Sequence, residues 1–263
     1  MISRRLFLHA VGFTAASTLL PRAAPAAGSS IVAAAADLQF ALPQIVAAFE
    51  KKTGETVRIS FGSSGNLSRQ IRQGAPFGLF LSADEQYVLR LAADGFTRGE
   101  GAVYALGRIA LVVPHGSPLK PDGSLDDLAR ALHAGRVTRF AIANPAHAPY
   151  GKRAEEALRH RGLWKAIQPK LVLGENVAQA TQFAVSGNTD GGIVAQSLTV
   201  APEIRAKADS ALIPADWHSP LRQRMALTNE AGPAAEAFYQ FLEGSQARVI
   251  LERYGFSLPG QGS

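Results

Sequence analysis

The segment VRISFGSSGNLSRQI, residues 57–71, decides the fold. Val57, Ile59 and Phe61 alternate with polar residues as a half-buried strand does, whereas Leu67 and Ile71 recur at helical spacing. The period changes across GSSGN at 62–66, so a strand hands over to a helix through a tight polar loop. Such a junction aims unpaired backbone N–H groups and hydroxyls at whatever lies beyond the helix start, which suits an anion. Three other stretches share this design: Ala36 to Leu38 (ADL), residues 144–151 (NPAHAPYG) and Glu175 to Val177 (ENV). None has a Lys or Arg at its centre. The expected ligand is therefore held by dipoles and hydrogen bonds, a small oxyanion more than a nucleotide.

Outward from that segment the chain keeps an α/β rhythm. Ile31 to Ala36 reads as a strand, and Leu38, Ala41, Leu42, Ile45 and Phe49 then recur at helical spacing up to Gly54. Pro43 sits inside that helix and marks a kink or a later start. Gly78 to Ser82 is a strand, followed by a helix carrying Tyr87, Val88, Leu91 and Ala92. Tyr104 to Pro114 is a longer β-branched run, read as a crossing between lobes. A second unit follows: helix from Ser124, strand Phe140 to Asn144, helix from Tyr150, strand Leu171 to Leu173, helix from Asn176, strand Gly192 to Ala195. Arg222 to Thr228 is read as the return crossing, with Pro233 to Leu242 and Gln246 to Tyr254 as closing helices. No internal repeat is visible. The pattern predicts two α/β lobes, residues 27–112 with 217–263 and residues 113–216, joined by two crossing strands with a ligand cleft between them.

The N-terminus reads as an export signal. Arg4 and Arg5 precede an apolar stretch through Leu20, and Ala24, Pro25 and Ala26 offer a small-x-small cleavage site. The uncharged run from Leu6 to Pro21 is short for a membrane span. Residues 1–26 are thus expected to be a twin-arginine-type signal peptide and the mature protein to be periplasmic. Those residues hold three Arg and no acid, so the formal charge of +6 falls to +3 on cleavage. A value that small, with no basic stripe, argues against nucleic acid as a partner. The chain has no Cys, which removes disulfide and thiolate chemistry. His115, His133, His147, His160 and His218 show no metal-ligand spacing. His147 lies close enough to the third loop to line a cleft rim. Asp84 and Glu85 open a helix and read as capping charges rather than an acid–base pair, and Ser82 as a structural group beneath the site.

Seven motifs occur in order: AAAADL (33–38), FGSSGNL (61–67), GAPF (74–77), SAD (82–84), ANPAHAPYG (143–151), ENV (175–177) and YGF (254–256). Together they make the mature chain similar to the periplasmic molybdate-binding proteins, the substrate-binding component of molybdate ABC transporters. The resemblance implies a bilobal, type II periplasmic-binding-protein-like fold that closes on its ligand. It implies contacts to the anion from Ala36, Asp37 and Ser64 in one lobe, and from the backbone N–H groups of Tyr150 and Val177 in the other. Ser63 and Ser64 would sit at a helix N-terminus with a hydroxyl pointed at the anion. The implied cargo is molybdate or tungstate, delivered to a membrane permease by a monomeric protein with no cofactor and no catalysed reaction.

Two positions depart from the resemblance. GAPF is followed by Gly78, where Asp is common, a change that removes a local cap. Asp37 stands where Ser or Asn is usual. At about 4 Å and an effective dielectric near 20, a carboxylate and a unit negative charge repel by roughly 4 kcal/mol, and a dianion by about twice that. The favoured escape is that Asp37 caps the helix ahead of it and shows the ligand only its backbone N–H. The rivals are a carboxyl kept protonated by burial, or a protonated ligand such as phosphate or phosphite. A serine hydrolase using Ser64 is the remote alternative; G-x-S-x-G would need Gly where Asn66 stands.

Overall fold

The structure, a computed structural model, describes residues 30–260; the expected signal segment lies outside them. In chain order the elements are β1 (Ser30–Ala35), α1 (Ala41–Thr53), β2 (Val57–Gly62), α2 (Ser64–Arg72), β3 (Phe77–Ser82), α3 (Glu85–Ala93), β4 (Ala102–Gly107) and β5 (Ile109–Pro114). They continue with α4 (Asp126–His133), β6 (Phe140–Ala143), α5 (Pro149–His160), α6 (Trp164–Ile167), β7 (Leu171–Gly174), α7 (Val177–Val185) and β8 (Gly192–Ala195). The chain closes with α8 (Gln196–Thr199), α9 (Pro202–Arg205), β9 (Ala208–Leu212), β10 (Leu221–Leu227), α10 (Pro233–Glu243) and α11 (Ser245–Arg253). Pro43 is the third residue of α1, where the N–H it lacks would have had no intrahelical acceptor, so the helix is not interrupted.

Two five-stranded sheets form, in the orders β2-β1-β3-β10-β4 and β7-β6-β8-β5-β9. In the first, β1 runs parallel to β2 and β3, and β10 runs antiparallel to β3 and β4. In the second, β6 runs parallel to β7 and β8, and β5 runs antiparallel to β8 and β9. The sheets thus share one topology although the sequence shows no repeat. In each, the fourth strand lies just after a crossing from the other sheet.

Strand period explains the layers. Val32 and Ala34 of β1 with Leu79 and Leu81 of β3 pack under α1, α10 and α11, where Phe49 meets Phe238 and Phe241 edge-on at 5.1 and 5.5 Å. Ala33 and Phe80, pointing the other way, pack with Leu67 and Ile71 of α2 and Val88 and Leu91 of α3. A third cluster centres on the second sheet, and Ala35, Ala36 and Ala83 from the first half join it. The halves are therefore in contact and the cleft is closed.

The run from Tyr104 to Pro114 is two strands rather than one. β4 ends at Gly107 and β5 belongs to the second sheet, so the chain changes sheets at Arg108, not at 112/113. The stretch at 222–228 is no crossing either: β10 sits between β3 and β4 and pairs with both. The return passes through residues 213–220, ahead of it.

Candidate functional site

Parallel pairing places the carboxyl ends of β1 and β2 side by side on one sheet, and those of β6 and β7 on the other. The four polar junctions leave from these ends, as ligand sites do in α/β sheets. All five residues singled out from the sequence (Ala36, Asp37, Ser64, Tyr150 and Val177) line one cavity between the halves. Its volume is about 10 Å³, the room of about one water and far below the roughly 300–1,000 Å³ of a typical organic-ligand pocket, so the two halves must part slightly to take even a compact group. No Lys or Arg lines it among the described residues.

Three helices start at its wall. α2 starts at Ser64 after Ser63, α5 at Pro149 directly before Tyr150, and α7 at Val177 after Asn176. First-turn N–H groups have no intrahelical acceptor, and each helix start carries roughly half a positive charge. Some of these donors are already taken: Gly65 N–H bonds across the halves to the His147 carbonyl (2.9 Å), and Gln179 N–H bonds locally to Asn176 Oδ1 (3.0 Å). Ser64 Oγ accepts from Ala83 N–H (3.0 Å), which leaves its single proton to donate elsewhere.

Asp37 does not cap. It lies inside a short 3-10 turn over Ala36–Leu38, and α1 begins only at Ala41; no side chain caps either start. The capping expectation fails because the carboxyl faces the opposite half, out of reach of the first-turn N–H groups of α1. Its Oδ2 accepts from the Tyr150 hydroxyl (2.9 Å) and from the Gln223 side-chain amide, while Ser197 Oγ donates to the Asp37 carbonyl (2.8 Å). Gln223 is fixed by accepting from the Tyr104 hydroxyl (2.6 Å). Asp37 Oδ1 is buried and has no hydrogen-bond partner. Burial pushes the carboxyl from its ordinary 3.8 up to about 7, against the opposing pull of Gln223, Tyr150 and its own backbone N–H.

The Tyr150 hydroxyl, Gln223, Tyr104 and Ser197 were not foreseen as part of this site. Gln223 did carry a signal: it falls between Leu221 and Met225 on the inward face of β10, where an amide is out of place unless it is bonded. Tyr150 reaches Asp37 beside Gly107, where a Cβ would collide with the tyrosine hydroxyl.

Further contacts hold the halves together. Ser63 Oγ is 2.9 Å from His147 Nδ1, and His147 Nε2 is 3.5 Å from Glu175, which also accepts from Asn66. On another side Arg153, only 6% exposed, pairs with Asp84 at 2.8 Å and with Glu156. His147 thus stands at the cleft rim. Asp84 caps α3 through Gln86 N–H (3.0 Å) as expected, whereas Glu85 pairs with Arg222 and Arg224. Ser82 Oγ donates to the Asp84 carbonyl (2.7 Å). Ser64 has no histidine beside its hydroxyl; His147 faces Ser63, which leaves the hydrolase reading without its base. Among the described residues no group of His, Cys, Asp and Glu could hold a metal ion.

Residues 31–257 match a family described as bacterial extracellular solute-binding protein. The molybdate-binding protein ModA of Rhodobacter capsulatus is 36% identical over 249 residues, 93% of this chain and 95% of that protein. ModA of Azotobacter vinelandii is 36% identical over 230 residues, 86% of this chain and 89% of that one. The solved structure of the Azotobacter vinelandii periplasmic molybdate-binding protein superposes with a TM-score of 0.78 at 31% identity, covering 88% of this chain and 100% of that chain.

Proposed function

Because this chain belongs to the family of bacterial extracellular solute-binding proteins, we propose that it captures molybdate between its two halves and delivers it to the membrane permease of an ABC importer. One observation carries the reading: junctions from both sheets bring Ala36, Asp37, Ser64, Tyr150 and Val177 to a single small cavity without a cation. The N–H groups of Tyr150 and Val177 and the Ser64 hydroxyl are donors for a tetrahedral dianion, which accepts only. Charge-assisted hydrogen bonds contribute roughly 1.5–3 kcal/mol each, so five or six approach the ~12 kcal/mol of nanomolar affinity. Tungstate, with the same shape and charge, is a second cargo. The protein works in the periplasm as a monomer after twin-arginine export, needs no cofactor, catalyses no reaction and binds no nucleic acid. The likeness to proteins named as molybdate-binding supports the cargo.

Thermal shift and calorimetry with molybdate, tungstate, sulfate and phosphate test this. Molybdate and tungstate should raise the melting temperature and bind at least tenfold more tightly than the other two. Absence of binding by all four, or turnover of a simple ester, would overturn the reading.

A further inference from the structure

Among the described residues that line the cavity, Asp37 is the one acid. Asp37 Oδ2 already accepts two hydrogen bonds, from Tyr150 and Gln223, whereas Oδ1 is buried with none. Were the carboxyl ionised in the loaded cavity, a buried anionic side chain at its wall would meet an anionic guest away from water. A proton resolves both problems. It must sit on Oδ1, because Oδ2 is occupied by donors, and there it turns an unpartnered acceptor of a cavity-lining residue into a donor. We propose that the site binds its oxyanion together with one proton, carried on Asp37 Oδ1 as a carboxylic acid that donates to the anion. The proposal rests on the oxyanion reading above and specifies how that site discriminates.

No competing group answers for the proton. α5 contributes the Tyr150 hydroxyl, β10 contributes Gln223, β4 contributes Tyr104 through Gln223, and α8 contributes Ser197 to the Asp37 carbonyl. Burial pushes both tyrosines well above their ordinary 10, so they stay neutral. α7 presents Val177, which has no charge. The cations of the neighbouring elements are engaged elsewhere: Arg153 with Asp84 and Glu156, Arg222 and Arg224 with Glu85, and Arg108 with the Ile213 carbonyl. A carboxyl at about 7 can be loaded near neutrality.

The test is titration of molybdate, fully ionised throughout, from pH 6 to 8.5 in two buffers of different ionisation enthalpy. Wild type should take up close to one proton per anion above neutrality, and Kd should rise by up to about tenfold per pH unit. Asp37→Asn supplies an amide donor at every pH, so its Kd should stay flat and no proton should be taken up. Proton counting on wild type stands alone if the variant does not fold. PH-independent wild-type binding without proton uptake overturns the proton assignment and leaves the receptor reading intact. Tight phosphate binding with molybdate ignored would place the proton on the ligand and overturn the assignment to Asp37. Failure of every oxyanion to bind overturns the receptor reading, and this one with it.

Discussion

Asp37 and Ser64 both line the cavity, and each makes a prediction at the scale of one side chain. The Asp37 carboxyl titrates near 7 in the folded chain and near 3.8 in the unfolded one. Between those values the folded state holds the extra proton, so stability falls as pH rises through the window and stays reduced above it. The full shift corresponds to something on the order of 4 kcal/mol. Urea unfolding of the ligand-free protein should therefore find Asp37→Asn strongly stabilising at pH 8, by less than half as much at pH 5 and close to neutral below pH 4; an equal effect at all three would refute the burial argument. Ser64→Ala removes the hydroxyl proposed to donate to the guest and orphans the Ala83 N–H, whose partner is Ser64 Oγ. Molybdate affinity should drop about 10- to 100-fold, with about 1–3 kcal/mol lost in unfolding; unchanged affinity in calorimetry would remove Ser64 from the site. Ser64 was legible because its loop sits where a strand period becomes a helix period. The surroundings of Asp37 were not, because Gln223 is 186 positions away and arrives only with the return strand.

Among the elements, the site is made by helices that begin where strands of two sheets end, and by the closeness with which those beginnings approach. Gly65 in the first turn of α2 shows how close: a Cβ there would lie 2.6 Å from the His147 carbonyl of the other half. That neighbour is backbone and cannot rotate away, so Gly65→Ala should hold the cleft ajar. Small-angle scattering should give a larger radius of gyration for the variant with molybdate than for wild type, and affinity should fall at least tenfold. Matching curves and affinities would contradict this closure geometry. The strand–loop–helix units themselves were readable from period and turn residues, and α1 survives Pro43 because its first turn has no use for that N–H. The joins between units were harder to read. β4 and β5 look like one apolar run broken only by Arg108, and β9, with the composition ADSAL, has no alternation to betray it.

For the molecule as a whole, two sheets of one topology each lend a strand position to chain that has just crossed from the other. The two crossings, at Arg108 and at 213–220, join the halves beside a cleft pinned by Arg153 with Asp84 and by Ser63 with His147. Such a body responds to a guest by closing rather than by reshaping either half. The central claim is that uncharged donors from both halves meet on one oxyanion. Diffraction from crystals grown with molybdate, recorded at the molybdenum absorption edge, tests it most directly. A single anomalous peak is expected within the cavity, with its oxygens in hydrogen-bond reach of Ser64 Oγ and of the Tyr150 and Val177 amides. A peak held instead by lysine or arginine side chains outside the cleft, or by one half alone, would contradict it.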